Sequence, residues 1–111
     1  MEEIKFEVQG SASEPYDVVF VKQEDGNLSA YCSCPAGQIG QYCKHRFNIL
    51  AGKADGIVSS NPETVNVVAS WLPGTDVETV LFKVRSLEAE EEKIKKALST
   101  AKKELAKAMR N

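Results

Sequence analysis

Leu28-Ser29-Ala30-Tyr31-Cys32-Ser33-Cys34-Pro35, followed after a short polar turn by Gln41-Tyr42-Cys43-Lys44-His45-Arg46, is the stretch on which the reading of this chain turns. All three cysteines and the sole histidine fall within 14 consecutive residues, and the other 97 positions hold neither type. Leu28 to Cys34 alternates as a strand does until Pro35 ends it. Side chains two apart on a strand share a face, so Cys32 and Cys34 can present two sulfurs to one point. Pro35 to Gly40 reads as a turn that doubles back, and Gln41 to Ala51 as a short helix stopped by Gly52. Cys43 and His45 then sit in the first turn of that helix or just before it, where they converge with the pair from the strand.

Three thiolates and an imidazole form a donor set suited to tetrahedral zinc, which accepts both ligand types without redox chemistry. Four protein ligands leave no open position, so Cys32, Cys34, Cys43 and His45 are expected to hold one structural zinc ion per chain. An odd number of cysteines does not suggest a disulfide framework. The same residues also admit ordinary buried cysteines with an exposed histidine, or a pair of thiols that oxidise reversibly. A Cys43 nucleophile with His45 as base would need the two side chains within hydrogen-bond reach, and neighbours in one helical turn do not usually face each other. No phosphate-binding loop is evident, since Gly37-x-x-Gly40 is not followed by Gly-Lys-Ser/Thr. The chain is therefore read as a non-enzyme with no small-molecule substrate.

Cys32-x-Cys34, eight intervening residues, then Cys43-x-His45 resembles the CxCx(n)CxH signature of the SWIM zinc finger, down to the Cys34-Pro35 and Cys43-Lys44-His45 settings. The resemblance covers about residues 4 to 52. It implies the same four zinc ligands and a role in binding DNA or proteins.

Working outward, Ile4-Lys5-Phe6-Glu7-Val8 alternates apolar and charged residues, as a half-buried strand requires. The breakers of Gly10 to Pro15 separate it from Tyr16 to Lys22, a second strand rich in β-branched and aromatic types. Gln23 to Asn27 supplies a hairpin connection to the cysteine-bearing strand. Residues 1–52 are thus expected to form a three-stranded antiparallel sheet with a short helix, organised by one zinc.

Residues 53–75 read as a connector, with Ile57-Val58 docking on the core, and a helix starting at Ser60-Asn61-Pro62-Glu63, a capping-box pattern. Val65, Val68, Ala69 and Leu72 lie on one face of that helix, Trp71 beside them is expected in the core or a subunit contact, and Leu72-Pro73-Gly74 ends it. Residues 76–111, capped at Thr75-Asp76-Val77-Glu78, contain no glycine or proline and are expected to form one long helix. Val77, Val84, Glu91, Leu98 and Leu105 occupy one heptad position. Val80, Leu87, Ile94, Ala101 and Ala108 occupy the other, a coiled-coil seam interrupted once, at Glu91. The expectation is a homodimer with Val77, Val80, Val84, Leu87, Ile94, Leu98 and Leu105 at its interface. The whole is an α+β chain: sheet and short helix, a second helix, then a long C-terminal helix.

The formal net charge of −2 argues against a dedicated nucleic-acid binder, whose affinity comes from neutralising phosphates. The charge is graded: residues 1–31 carry two Lys and seven Asp or Glu, and residues 92–111 carry seven Lys or Arg and two Glu. A protein partner is accordingly expected before a nucleic acid, for a small dimeric regulator or inhibitor. The alternative is DNA contact by Lys44, Arg46 and Lys53 of the zinc unit, helped by Lys95, Lys96, Lys102 and Lys103. With no long apolar segment and no apolar leader at Met1-Glu2-Glu3, no membrane association is expected, and the cytoplasm is the expected location.

Overall fold

The computed structural model describes residues 1–110. Three strands, β1 (Glu2–Val8), β2 (Tyr16–Lys22) and β3 (Leu28–Cys32), form an antiparallel sheet in the order β1-β2-β3. In β1 the alternation places Phe6 and Val8 in the core and Ile4 at its margin, while Lys5 and Glu7 face away. Phe6 pairs with Val18 across the sheet and Phe20 with Ile4, in a register that puts Ile4, Phe6 and Val8 of β1 and Tyr16, Val18 and Phe20 of β2 on one face. The Phe6 and Phe20 rings meet edge to face, 6.1 Å between centroids. Gly26, at φ +89°, makes the β2–β3 turn, where Gln23 and Asn27 close a backbone hydrogen bond of 2.8 Å.

Two short helices follow, α1 (Pro35–Gln38) and α2 (Lys44–Leu50). The expected third strand ran through Cys34, but β3 stops at Cys32. Ser33 still donates its N–H to the Asp17 carbonyl, and Cys34 then caps α1, with Pro35 at the first helical position. The expected turn is thus a single helical turn. Helix α2 begins three residues later than expected, because Cys43 remains extended, and it buries Ile49 and Leu50.

Residues 53–75 are not a separate piece. Gln9 donates to the Gly56 carbonyl and Val58 to that of Glu7, a short bridge along the free edge of β1 that seats Ile57 on the core and leaves Val58 exposed. The helix expected from Ser60 is a 3-10 turn (Pro62–Thr64) leading into α3 (Val65–Ser70). Asn61 forms no side-chain cap, because its amide donates to the Lys5 carbonyl and its oxygen accepts from Ser59 Oγ. Val65, Val68 and Trp71 are buried in the same core as the sheet.

The last element, α4 (Asp76–Ala108), has 33 residues. Its start follows the expected cap: Thr75 Oγ1 accepts from the Glu78 N–H, and the Glu78 carboxylate accepts from the Gly74 N–H one residue before the cap. The chain divides into two compact units at Glu78–Thr79, so the boundary falls inside α4 rather than before it. Val77, expected at a dimer seam, belongs to the first unit and packs half-buried against its core. In the second unit Val80, Leu87, Ile94, Leu98 and Leu105 are more than half exposed and Val84 is half-buried. Asn111 lies outside the described residues. Among the described residues no helix is long and apolar enough to cross a membrane.

Candidate metal centre

Cys32 is the last residue of β3, held opposite the fully buried Val18 of β2. One residue on, Ser33 Oγ accepts from the Asp17 N–H at 2.9 Å while the Asp17 carbonyl accepts from Ser33, so the chain leaving the sheet is fastened to β2. Cys34 is extended (φ −64°, ψ 159°), and its Sγ accepts the Gly37 N–H at 3.3 Å in the place where a serine or aspartate oxygen usually caps. The Cys34 N–H in turn points to Cys32 Sγ at 3.5 Å. These bonds place N–H donors beside two of the sulfurs.

Gly40, at φ +73°, reverses the chain after α1, and Cys43, extended at φ −135° and ψ 116°, precedes α2. His45 lies in the first turn of that helix. Its Nδ1 is 3.5 Å from Cys43 Sγ and 3.7 Å from Cys32 Sγ, and Cys34 Sγ and Cys43 Sγ are 3.4 Å apart. All four donor atoms lie within 4.8 Å of one another. Zinc–sulfur bonds of about 2.3 Å and zinc–nitrogen bonds of about 2.1 Å in a tetrahedron require roughly 3.8 Å between sulfurs and roughly 3.6 Å from sulfur to nitrogen. The short approaches match that requirement, and the sulfurs are well beyond the roughly 2.05 Å of a disulfide. The donor set therefore fits zinc, held by Cys32, Cys34, Cys43 and His45.

The sequence reasoning held Cys43 and His45 out of each other's reach, and the structure corrects this. Because Cys43 is extended rather than helical, its sulfur turns onto His45 Nδ1. Both nevertheless aim at the point shared with Cys32 and Cys34, and the imidazole face rests on Tyr16, centroids 5.3 Å apart.

With protons rather than metal on the sulfurs, Cys32 and Cys43 differ. Burial pushes Cys32 up to about 12 from 9.0. Burial also acts to raise Cys43, but the Arg46 N–H and the bonds from Cys34, Cys32 and His45 outweigh it and lower the group to about 6. The Cys43 contribution to folding is thus present above pH 9 and lost as pH falls through about 6, whereas that of Cys32 is present below pH 9 and lost as pH rises towards 12. Zinc uptake must displace the proton that burial holds on Cys32, so metal loading releases protons and acid opposes it. Lowering the pH of zinc-loaded protein from about 7.5 to about 5 is expected to release the ion, read with a chromogenic chelator. Retention of zinc through that range would contradict thiolate ligation.

Two supports were not foreseen in the sequence. Gly37 sits against the end of β3: a Cβ there would collide with the Cys32 carbonyl and come within 2.8 Å of the Cys32 Cβ. Gly37→Ala is expected to destabilise the zinc unit by about 1–3 kcal/mol, by displacing Cys32 and the N–H that Cys34 Sγ accepts. A melting temperature unchanged from the parent would contradict this packing. Arg46, expected to be a phosphate contact, is instead occupied within the fold. Its guanidinium donates to the Ala30 carbonyl at 3.2 Å and the Gln41 carbonyl at 2.6 Å, joining β3 to the loop before α2. The remaining basic candidates, Lys44, Lys53, Lys95, Lys96, Lys102 and Lys103, are exposed. A cleft of about 840 Å³ opens beside the centre, lined among others by Val8, Gly10, Tyr16, Tyr42, His45 and Asp55.

Residues 6–46 match the family model described as the SWIM zinc finger, a span that includes all four donors. No curated protein and no solved structure matches the chain.

Proposed function

Since the chain carries a SWIM zinc finger at residues 6–46, we propose that it is a non-catalytic, cytoplasmic module that recognises a protein through the surface around its metal centre, acting as a small dimeric regulator or inhibitor. The observation that supports a protein partner is the surface beside the donors. Ile39 is 69% exposed and Tyr42 63% exposed on the loop between α1 and α2, and Tyr42 stacks on Phe47 with centroids 4.5 Å apart. A rigidly backed, exposed aromatic is the kind of anchor that dominates protein interfaces, and the exposed Ile39 of the same loop adds apolar surface.

Charge supports the same reading. Residues 1–78 carry five Lys or Arg and 11 Asp or Glu, and Arg46 is already engaged, so Lys44 and Lys53 are the cations left close to the centre in sequence. Phosphate binding draws its affinity from many such contacts, and this unit repels a polyanion. The cytoplasmic placement is supported by an odd number of cysteines gathered at one metal centre rather than paired in disulfides, a usage that fits a reducing compartment. In this reading the dimer forms through the exposed apolar stripe of α4.

The test is a titration of fluorescent duplex DNA with zinc-loaded full-length protein at low salt, repeated with Lys44→Glu/Lys53→Glu. No change in affinity between parent and variant is expected, because the finger makes no phosphate contacts. A loss of tenfold or more on removing these two cations would move the function to nucleic acid.

A further inference from the structure

Helix α4 is divided by charge. Residues 76–92 carry six Asp or Glu and two Lys or Arg, whereas residues 93–110 carry seven Lys or Arg and one Glu. Leu87, Ile94, Leu98 and Leu105 run along it at 57%, 67%, 53% and 58% exposure. These residues lie at alternating heptad spacings, so they form a narrow seam of the kind a second helix covers.

We propose that the occupant of this seam is α4 of a second copy, running antiparallel. This rests on the dimer proposed above and adds its direction. In the antiparallel pair the acidic half of each helix lies along the basic half of the other, whereas a parallel pair aligns each half with its own kind. The layers also match. Setting Ile94 of one copy against Leu98 of the other brings Leu87 against Leu105, Val84 against Ala108 and Glu91 against the small Ala101. The overlap spans residues 84–108, about 37 Å of helix.

Glu91 decides between the directions. In a parallel pair it meets Glu91 of the second copy inside the seam, two uncompensated carboxylates in apolar surroundings, which weakens association by about a hundredfold or more. The parallel pair would gain four rim contacts per dimer, Lys83 with Glu88 and Glu90 with Lys95 twice each, but an exposed ion pair shifts an equilibrium only about twofold, so together they fall short of that cost. The antiparallel pair gains Glu88 with Lys102 twice and tolerates rim contacts of like sign, Lys95 with its own copy and Glu90 with Glu104, that are similarly small. Opposite Ala101, Glu91 has room to reach solvent. The dimer so formed is bivalent: the two points at which the chain passes from its first unit into α4 stand about 50 Å apart, at opposite ends of the helical pair.

A charge exchange on full-length zinc-loaded protein tests this, with the dimer dissociation constant read by sedimentation equilibrium. Glu88 and Lys102 are exposed, so both single variants keep the fold. Glu88→Lys and Lys102→Glu are each expected to weaken the dimer about fourfold or more, through two lost pairs per dimer, and the double variant is expected to restore parental affinity. A dimer that the double variant fails to restore would overturn the antiparallel direction alone. A parent that stays monomeric at about 100 μM, well above the dissociation constant of even a weak specific pair, would overturn both the direction and the dimer.

Discussion

Replacing Cys43 with serine is expected to abolish zinc binding and to unfold residues 1–78 cooperatively. Zinc binding to a small structural site is worth on the order of 10 kcal/mol, and in such a unit much of that free energy is folding free energy. Cys43 is the link most exposed to loss. Its sulfur lies 3.4 Å from Cys34 and 3.5 Å from His45, and it joins the donors delivered by the sheet to those delivered by α2. A serine oxygen is a harder and far less readily ionised ligand than a thiolate, so the site drops to three donors. The expected readout is loss of the stoichiometric metal and of the near-ultraviolet signal of Trp71, which lies in the core of that unit. Metal content equal to the parent would remove Cys43 from the site.

Phe20→Ala is expected to produce the second largest loss, about 3–5 kcal/mol. Phe20 is fully buried at the centre of β2, opposite Ile4 on one side and Ala30 on the other, with Phe6 edge-on against it. Ala30 is too small to close the space left behind, so most of the cavity persists. A unit of this size shifts its melting temperature by about 4–8 °C per kcal/mol, so denaturation with zinc bound should fall by well over 10 °C. A shift under about 4 °C would mean that the sheet is not packed through this ring.

What could be read from the sequence follows the range of the interactions involved. The alternation in β1, the β-branched and aromatic run of β2, the Thr75 cap and the uninterrupted α4 are local patterns, and each lies where it was expected. The four donors were legible because no other cysteine or histidine competes for the role. The end of β3 was missed because Ser33 bonds to Asp17 while Cys34 turns to cap α1, a choice made by a partner 16 residues away. The start of α3 was missed for a similar reason: Asn61 is drawn to the Lys5 carbonyl, 56 residues distant, and so does not cap the helix. Arg46 looked like a surface cation because a single sequence does not show that the Ala30 and Gln41 carbonyls wait beside it. Gly37 carried the one overlooked local signal, a residue without a side chain between the Cys32–Cys34 and Cys43–His45 donor pairs. Only the folded chain shows that the Cys32 backbone passes through the space its Cβ would need.

One metal ion is expected to organise residues 1–78. Native mass spectrometry of protein purified without a metal-affinity tag tests it most directly, with a second spectrum after chelation. One zinc per chain, lost on chelation together with a shift to higher charge states as the first unit opens, is the predicted result. A folded chain that carries no metal, with the same charge states before and after chelation, would contradict it.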